Sequence, residues 1–283
     1  MAKRYEGDCI LMYHGTPRGD AARLAGQLRA LACFFDVVPL EALAVPGRGP
    51  RGRRRAALTF DDGLRSNVAV AYPILESLGL HATFFVCPGI IDSGAWLWNH
   101  EARQRLRALP RPALAELAAA LGAPAEAEAF VEWMKTLPLA ARRRAEEAVR
   151  AATPAFRPSA AEREAFDVAG WDELKRLDPR VVSIGSHSLT HPILTSLDAD
   201  ALEAEVGASR ARLESELGRP VAGFCYPNGD LNGAALAAAR RHYRLAVGVG
   251  GGSLRGDVDV HRLPRFAAHP SYSLRLARAL ALA

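Results

Sequence analysis

The chain is nearly devoid of lysine: of its 283 residues only Lys3, Lys135 and Lys175 are lysines, and the other 33 of 36 basic residues are arginine. The formal charge of +5 therefore reflects an arginine- and alanine-rich composition rather than a dedicated polyanion surface. The one dense basic run, "RGPRGRRR" at 48–55, is punctuated by Gly and Pro and has no aromatic interleaved to stack on bases. It reads as a solvated loop, and no nucleic-acid partner is expected. Cysteine is also scarce. Cys9, Cys33, Cys87 and Cys225 show no CxxC spacing, which argues against a thiolate metal site and for reduced thiols in the core. Long hydrophobic runs are missing too: the opening "MAKRYEGDCILMYHG" holds an apolar stretch too short for a signal segment or a membrane span. No integral membrane segment and a cytoplasmic location are the expectation. There is no internal repeat and no sustained low-complexity tract, and nothing in the sequence fixes an oligomeric state.

What is present is a large apolar fraction, 49%, enough for one extended core, so residues 1–283 read as a single catalytic domain. Short apolar runs alternate with helical stretches, the pattern of parallel strands joined by helices. Strands are expected at 9–13, 56–60, 82–86, 181–185, 222–226, 245–249 and, from "VHRLP", 260–264. Helices are expected near 20–34, 67–78, 198–217 and 232–243, with a last one from about 273. Seven strands with helices outside predict an α/β barrel whose functional groups collect at the C-terminal strand ends. His14, Asp61, Asp62, His187 and Tyr226 all fall there. One interval is too long for a βαβ unit, which needs about 30 residues: residues 92–169, rich in Ala, Glu and Arg and broken by prolines, read as a helical insertion over one rim of the site.

The chemistry gathers in two short stretches. "ALTFDDG" at 57–63 sets Asp61 beside Asp62 after an apolar run, and adjacent carboxylates at a strand end answer to a metal, to a proton, or to both. "GSHSLTHP" at 185–192 places His187 and His191 four apart, a spacing found in zinc sites, with both imidazoles expected on one turn. Two neutral imidazoles and one carboxylate leave coordination positions open for water and substrate. The second aspartate is then free to take the proton of a metal-activated water. The bland alternative makes Asp62 an N-cap of the helix that starts near Ser66. Trp96 and Trp98 in "GAWLWNHEA" fit either stacking on a sugar face or packing the insertion down. Trp133 and Trp171 read as core or interface, and His81, His100 and His242 show no partner pattern.

"TFDDG", "HSLTH" and "CYPNGD", in this order, resemble the motifs of the polysaccharide deacetylase family, carbohydrate esterase family four. The resemblance implies a distorted barrel of about seven parallel strands. It implies Asp61 as general base and Asp62, His187 and His191 as ligands of a divalent metal, most often zinc. It also implies that the Tyr226 backbone N–H meets the oxyanion. Two departures stand out. The arginine that steadies the base in many members is replaced by Phe224-Cys225-Tyr226, so Arg265 in "HRLPRF" is the candidate for that task. The late Leu-x-His that supplies the acid is unclear at His261 and His269, whereas "LMYHG" resembles the start of the poly-N-acetylglucosamine deacetylases and makes His14 the candidate acid, with His261 its competitor. The function this implies is metal-dependent removal of an N-acetyl group from an amino sugar or glycan. The rivals are a deformylase or cyclic-amide hydrolase on the same fold, an Fe(II) oxygenase site, and a non-catalytic sugar-binding relative.

Overall fold

The computed structural model describes residues 7–256 and 258–270; the helix expected from about 273 lies outside them. The chain begins with β1 (Cys9–Tyr13), α1 (Ala21–Phe34), β2 (Asp36–Val37), β3 (Arg55–Phe60), α2 (Tyr72–Leu78) and β4 (Ala82–Val86). A helical stretch follows: α3 (Pro88–Ser93), α4 (Trp98–Ala108), α5 (Arg111–Leu121), α6 (Ala127–Lys135), α7 (Leu139–Ala152), α8 (Ala160–Phe166) and α9 (Trp171–Lys175). The last part alternates again, with β5 (Val182–Ser186), α10 (Ala199–Leu217), β6 (Gly223–Cys225), α11 (Gly233–His242), β7 (Leu245–Val247) and β8 (Phe266–Ala267).

The strands form one parallel sheet in the order β7-β6-β5-β4-β3-β1-β8, with β2 beside β3, curved into a distorted α/β half-barrel with helices around it. Every residue of β3 and β4 is buried, as expected of parallel strands covered on both faces. Alternate side chains serve different cores because the strand period is two. Ala56, Leu58 and Phe60, with Ala82, Phe84 and Val86, pack outward against the helices. Ala57 and Phe85 point inward with Ile10, Cys225 and Leu263. The interior is tight enough that a Cβ on Gly185 would meet the Phe85 ring at 2.4 Å.

The strand expected at 260–264 is not one. Leu263 makes a single bridge to Val247 on β7 and Phe266–Ala267 pairs with β1; between them Pro264, which has no N–H to donate, breaks the ladder. This segment spans from one edge of the sheet to the other and carries Arg265 between them. The basic run is also less solvated than expected. Arg51 donates to Asp36 and, with Arg53, to carbonyls of Ala32, Cys33 and Phe35 at the end of α1, where a helix leaves acceptors unpaired. All four cysteines are free, with Cys9, Cys87 and Cys225 buried. Helices α4 to α7 have their own apolar core, built on Leu106, Phe130, Val131 and Met134 and joined by Ile193 from the loop after β5. No described helix is long and apolar enough to cross a membrane.

Candidate active site

Strand parity puts Asp61 in the barrel mouth: Ala57 and Thr59 face inward, so Asp61 does as well. A regular strand would then send Asp62 to the opposite face. The chain avoids this by turning left-handed at Asp62 (φ 73°) and at Gly63 (φ 64°), where a Cβ would also crowd Val86 at 3.0 Å. Both carboxylates consequently share one side. The second motif is bent by the same device. His187 and His191 do not lie on a helical turn as expected; Ser188 and His191 adopt φ of 65° and 59°, and the rings meet edge to face with centroids 4.7 Å apart. Such conformations cost about 1–2 kcal/mol each, so the loop must be fastened from outside. The Glu205 carboxylate on α10 accepts from Thr190 N and Oγ1 at 2.8 and 2.5 Å. Ser188 Oγ accepts from His191 N at 3.0 Å, and the Trp98 indole on α4 donates to His191 O at 2.9 Å.

Asp62 Oδ1 stands 3.6 Å from His187 Nε2 and 3.7 Å from His191 Nε2. These gaps are too long for hydrogen bonds and suit ligands sharing a cation at about 2.1 Å. His187 Nδ1 donates to Cys225 O at 2.9 Å; a carbonyl can only accept, so Nδ1 carries a proton and Nε2 is the nitrogen turned toward Asp62. Burial pushes His191 down to about 3, keeping it neutral. Together the three buried groups fit a divalent cation through one oxygen and two nitrogens. Asp62 caps no helix: Ser66 precedes the turn that begins at Asn67.

Arg265 grips Asp61 with two hydrogen bonds, Nη1 to Oδ1 and Nη2 to Oδ2, each 2.7 Å. Its Nε donates to Gly248 O at 2.8 Å and its Nη1 also to Thr59 Oγ1 at 3.0 Å. Burial alone would raise the Asp61 pKa, but the guanidinium outweighs it and the net direction is down. Asp61 is therefore a charged, oriented carboxylate, with one oxygen within 4.8 Å of a His187 nitrogen.

The remaining residues divide. His14 is exposed at the end of β1 and lies near enough to favour the ionised forms of both aspartates. His261 is turned away, its Nε2 bonded at 2.9 Å to Tyr243 O, before the start of β7. The Tyr226 N–H, expected as oxyanion donor, donates to Val247 O at 3.2 Å: the β6–β7 ladder continues one residue past β6 and uses it. Trp96 and Trp98 are packing residues, Trp96 donating to Asp167 at 2.8 Å and lying against Phe166. Trp171 donates to Asp92 and Trp133 packs on Phe130.

Residues 48–245 match the family model for polysaccharide deacetylase. The chain belongs to the polysaccharide deacetylase family. Several solved structures share the fold over almost the whole chain. The Streptococcus pyogenes deacetylase PplD, in complex with acetate, is 19% identical over 98% of this chain and 99% of its own, with a TM-score of 0.65. IcaB from Ammonifex degensii is 18% identical over 99% of each chain, with a TM-score of 0.61. A de-N-acetylase from Aggregatibacter actinomycetemcomitans is 14% identical over 96% and 98%, with a TM-score of 0.57. No curated protein sequence gives a match.

Sequence reasoning missed one residue at this deacetylase-family site. His100, in the first turn of α4, places Nε2 3.6 Å from Asp62 Oδ2. Nothing in the sequence pattern marked it, since it stands alone in the overlong interval between β4 and β5.

Proposed function

We propose that the chain is a metal-dependent hydrolase that removes an N-acetyl group from an amino sugar or glycan. The observation that carries this reading is the contrast between adjacent aspartates: Asp61 is held by Arg265, while Asp62 faces two imidazoles across 3.6 and 3.7 Å. Asp62, His187 and His191 would hold a divalent cation, and two imidazoles with one carboxylate are a donor set that zinc takes. When bound, the cation supplies Lewis-acid polarisation of an acyl oxygen and acidifies a water.

The chain's own residues do the rest. Asp61, ionised and fixed by Arg265, accepts the proton of the attacking water at a carboxylate oxygen. Arg265 keeps that carboxylate from rotating away and balances its charge in a buried setting. His14, at the end of β1 on the strand beside that of Asp61, delivers a proton to the leaving amine. With the Tyr226 N–H engaged in the sheet, its oxyanion role would require the β6–β7 ladder to open at that bond. Residues 92–169 form an insertion whose α4 end braces the His191 loop, within one catalytic domain spanning 1–283.

Family membership supports an acetylated carbohydrate substrate. The relative named as a de-N-acetylase and the "LMYHG" opening make poly-N-acetylglucosamine the first glycan to test. The experiment is incubation of zinc-loaded protein with N-acetylglucosamine oligomers and peptidoglycan fragments, with acetate and formate measured separately. Acetate release that disappears in Asp61→Asn is expected. Formate release, or no acyl release from any N-acylated sugar by fully loaded protein, would overturn the assignment.

A further inference from the structure

The Asp62 carboxylate has two oxygens, and the structure surrounds both with imidazole. Oδ1 faces His187 and His191, whereas Oδ2 faces His100 Nε2 at 3.6 Å. His100 comes from α4, in the helical stretch between β4 and β5, and its placement is over-determined. Its ring lies 4.9 Å from Phe166 on α8, and the side chain is 14% exposed. Two residues earlier, Trp98 is anchored to His191 O at 2.9 Å and covered by the Arg142 guanidinium at 4.4 Å. One helical turn thus reaches a backbone carbonyl of one candidate ligand and the second oxygen of another.

We propose that His100 is a positioning residue of the metal centre, donating its Nε2–H to Asp62 Oδ2 so that Oδ1 alone is presented to the cation. The proposal rests on the metal-binding reading of Asp62, His187 and His191. Such a bond needs the proton on His100 Nε2, since a carboxylate can only accept; of the three imidazoles His100 alone faces Oδ2 rather than Oδ1. The carboxyl torsion of Asp is broad, and a small rotation closes 3.6 Å to hydrogen-bond length. An Asp with its second oxygen taken binds through one oxygen, which leaves more of the coordination sphere for water and substrate.

The test uses the full chain stripped of metal, with Co2+ as probe, in wild type, His100→Ala and His100→Gln, Gln retaining an N–H donor. Affinity is read by chelator competition and coordination by the visible absorption of Co2+, with thermal unfolding of the metal-free proteins to confirm folding. Co2+ affinity is expected to fall about 10–100-fold in His100→Ala, with a weaker visible band as the carboxylate turns bidentate and coordination number rises. His100→Gln should recover most of both. Wild-type affinity and spectrum in His100→Ala would overturn the proposal, as would equal losses in the two variants with an unchanged spectrum. Failure of the wild type to bind Co2+ at all would instead overturn the metal-binding reading on which it rests.

Discussion

Two arginine–aspartate pairs sit at opposite ends of the sheet. At the N-terminal end Arg55 donates to Asp8 through Nε and Nη2 at 2.9 and 2.6 Å and also to Ala42 O and Val45 O. At the C-terminal end Arg265 holds Asp61 through two bonds of 2.7 Å. The bonding is alike but the surroundings are not. Asp8 also accepts from the Arg55 backbone N–H at 2.7 Å and ties β1 to the start of β3, so its carboxylate is committed to the fold. Asp61 stands beside a cluster of imidazoles and a second carboxylate. Backbone strain follows the same division: among the described residues the non-glycine positive-φ positions are Asp62, Ser188, His191 and Asn228, all beyond the C-terminal ends of β3, β5 and β6. Strain gathered where ionisable groups converge marks a site, whereas a relaxed ion pair saturated by carbonyls marks a clasp.

The sharpest way to break this comparison is to remove the charge at each end. Asp61→Asn should lower kcat for deacetylation by about 10²–10⁴-fold, the amide still accepting from Arg265 but unable to take a proton. Asp8→Asn should leave kcat within about twofold and destabilise by roughly 3 kcal/mol in urea unfolding, because the buried Arg55 loses its charge partner. A large kcat loss in Asp8→Asn with intact folding would erase the distinction.

A middle-sized effect is expected where the helical stretch meets the site. Trp98→Phe keeps the ring under Arg142 but removes the donor to His191 O. A buried acceptor left unsatisfied costs about 1–2 kcal/mol, and Zn2+ affinity should fall about tenfold. Unchanged affinity by chelator competition would mean that the left-handed turn at His191 needs no brace.

Much of this arrangement was readable from sequence, for definite reasons. Strands buried on both faces print as continuous apolar runs, so 9–13 and 82–86 have the expected bounds and the run at 181–185 shifts by one residue. β2 is two residues long and begins with Asp36, too short and too polar to show. β8 was displaced because "VHRLP" carries the apolar pattern while Pro264 denies it the ladder. Within the site, Asp61, Asp62, His187 and His191 were visible because each pair is local in sequence. The contact between Arg265 and Asp61 joins positions 204 apart, and only the family pattern suggested it. His100 was not readable, since a single histidine 38 positions from Asp62 leaves no periodic trace.

The smallest effect belongs at the N-terminal end of β4, where His81 bonds Ser183 Oγ at 3.1 Å. Burial holds its pKa at about 4, below the ordinary 6.5. The unfolded chain therefore takes up the proton first as pH falls, and the stabilisation is full above 6.5 and lost between 6.5 and 4. After allowance for partial exposure it amounts to about 1–2 kcal/mol. His81→Gln should flatten the pH dependence of the urea midpoint across that window; an unchanged slope would contradict it.

The division of labour between the adjacent aspartates is tested most directly by metal content. Asp61→Asn and Asp62→Asn, each loaded with Zn2+, dialysed and analysed by elemental mass spectrometry, should separate cleanly. Asp61→Asn is expected to retain one zinc per chain while inactive, and Asp62→Asn to lose it. Stoichiometric zinc in Asp62→Asn together with its loss from Asp61→Asn would reverse the roles and contradict the account.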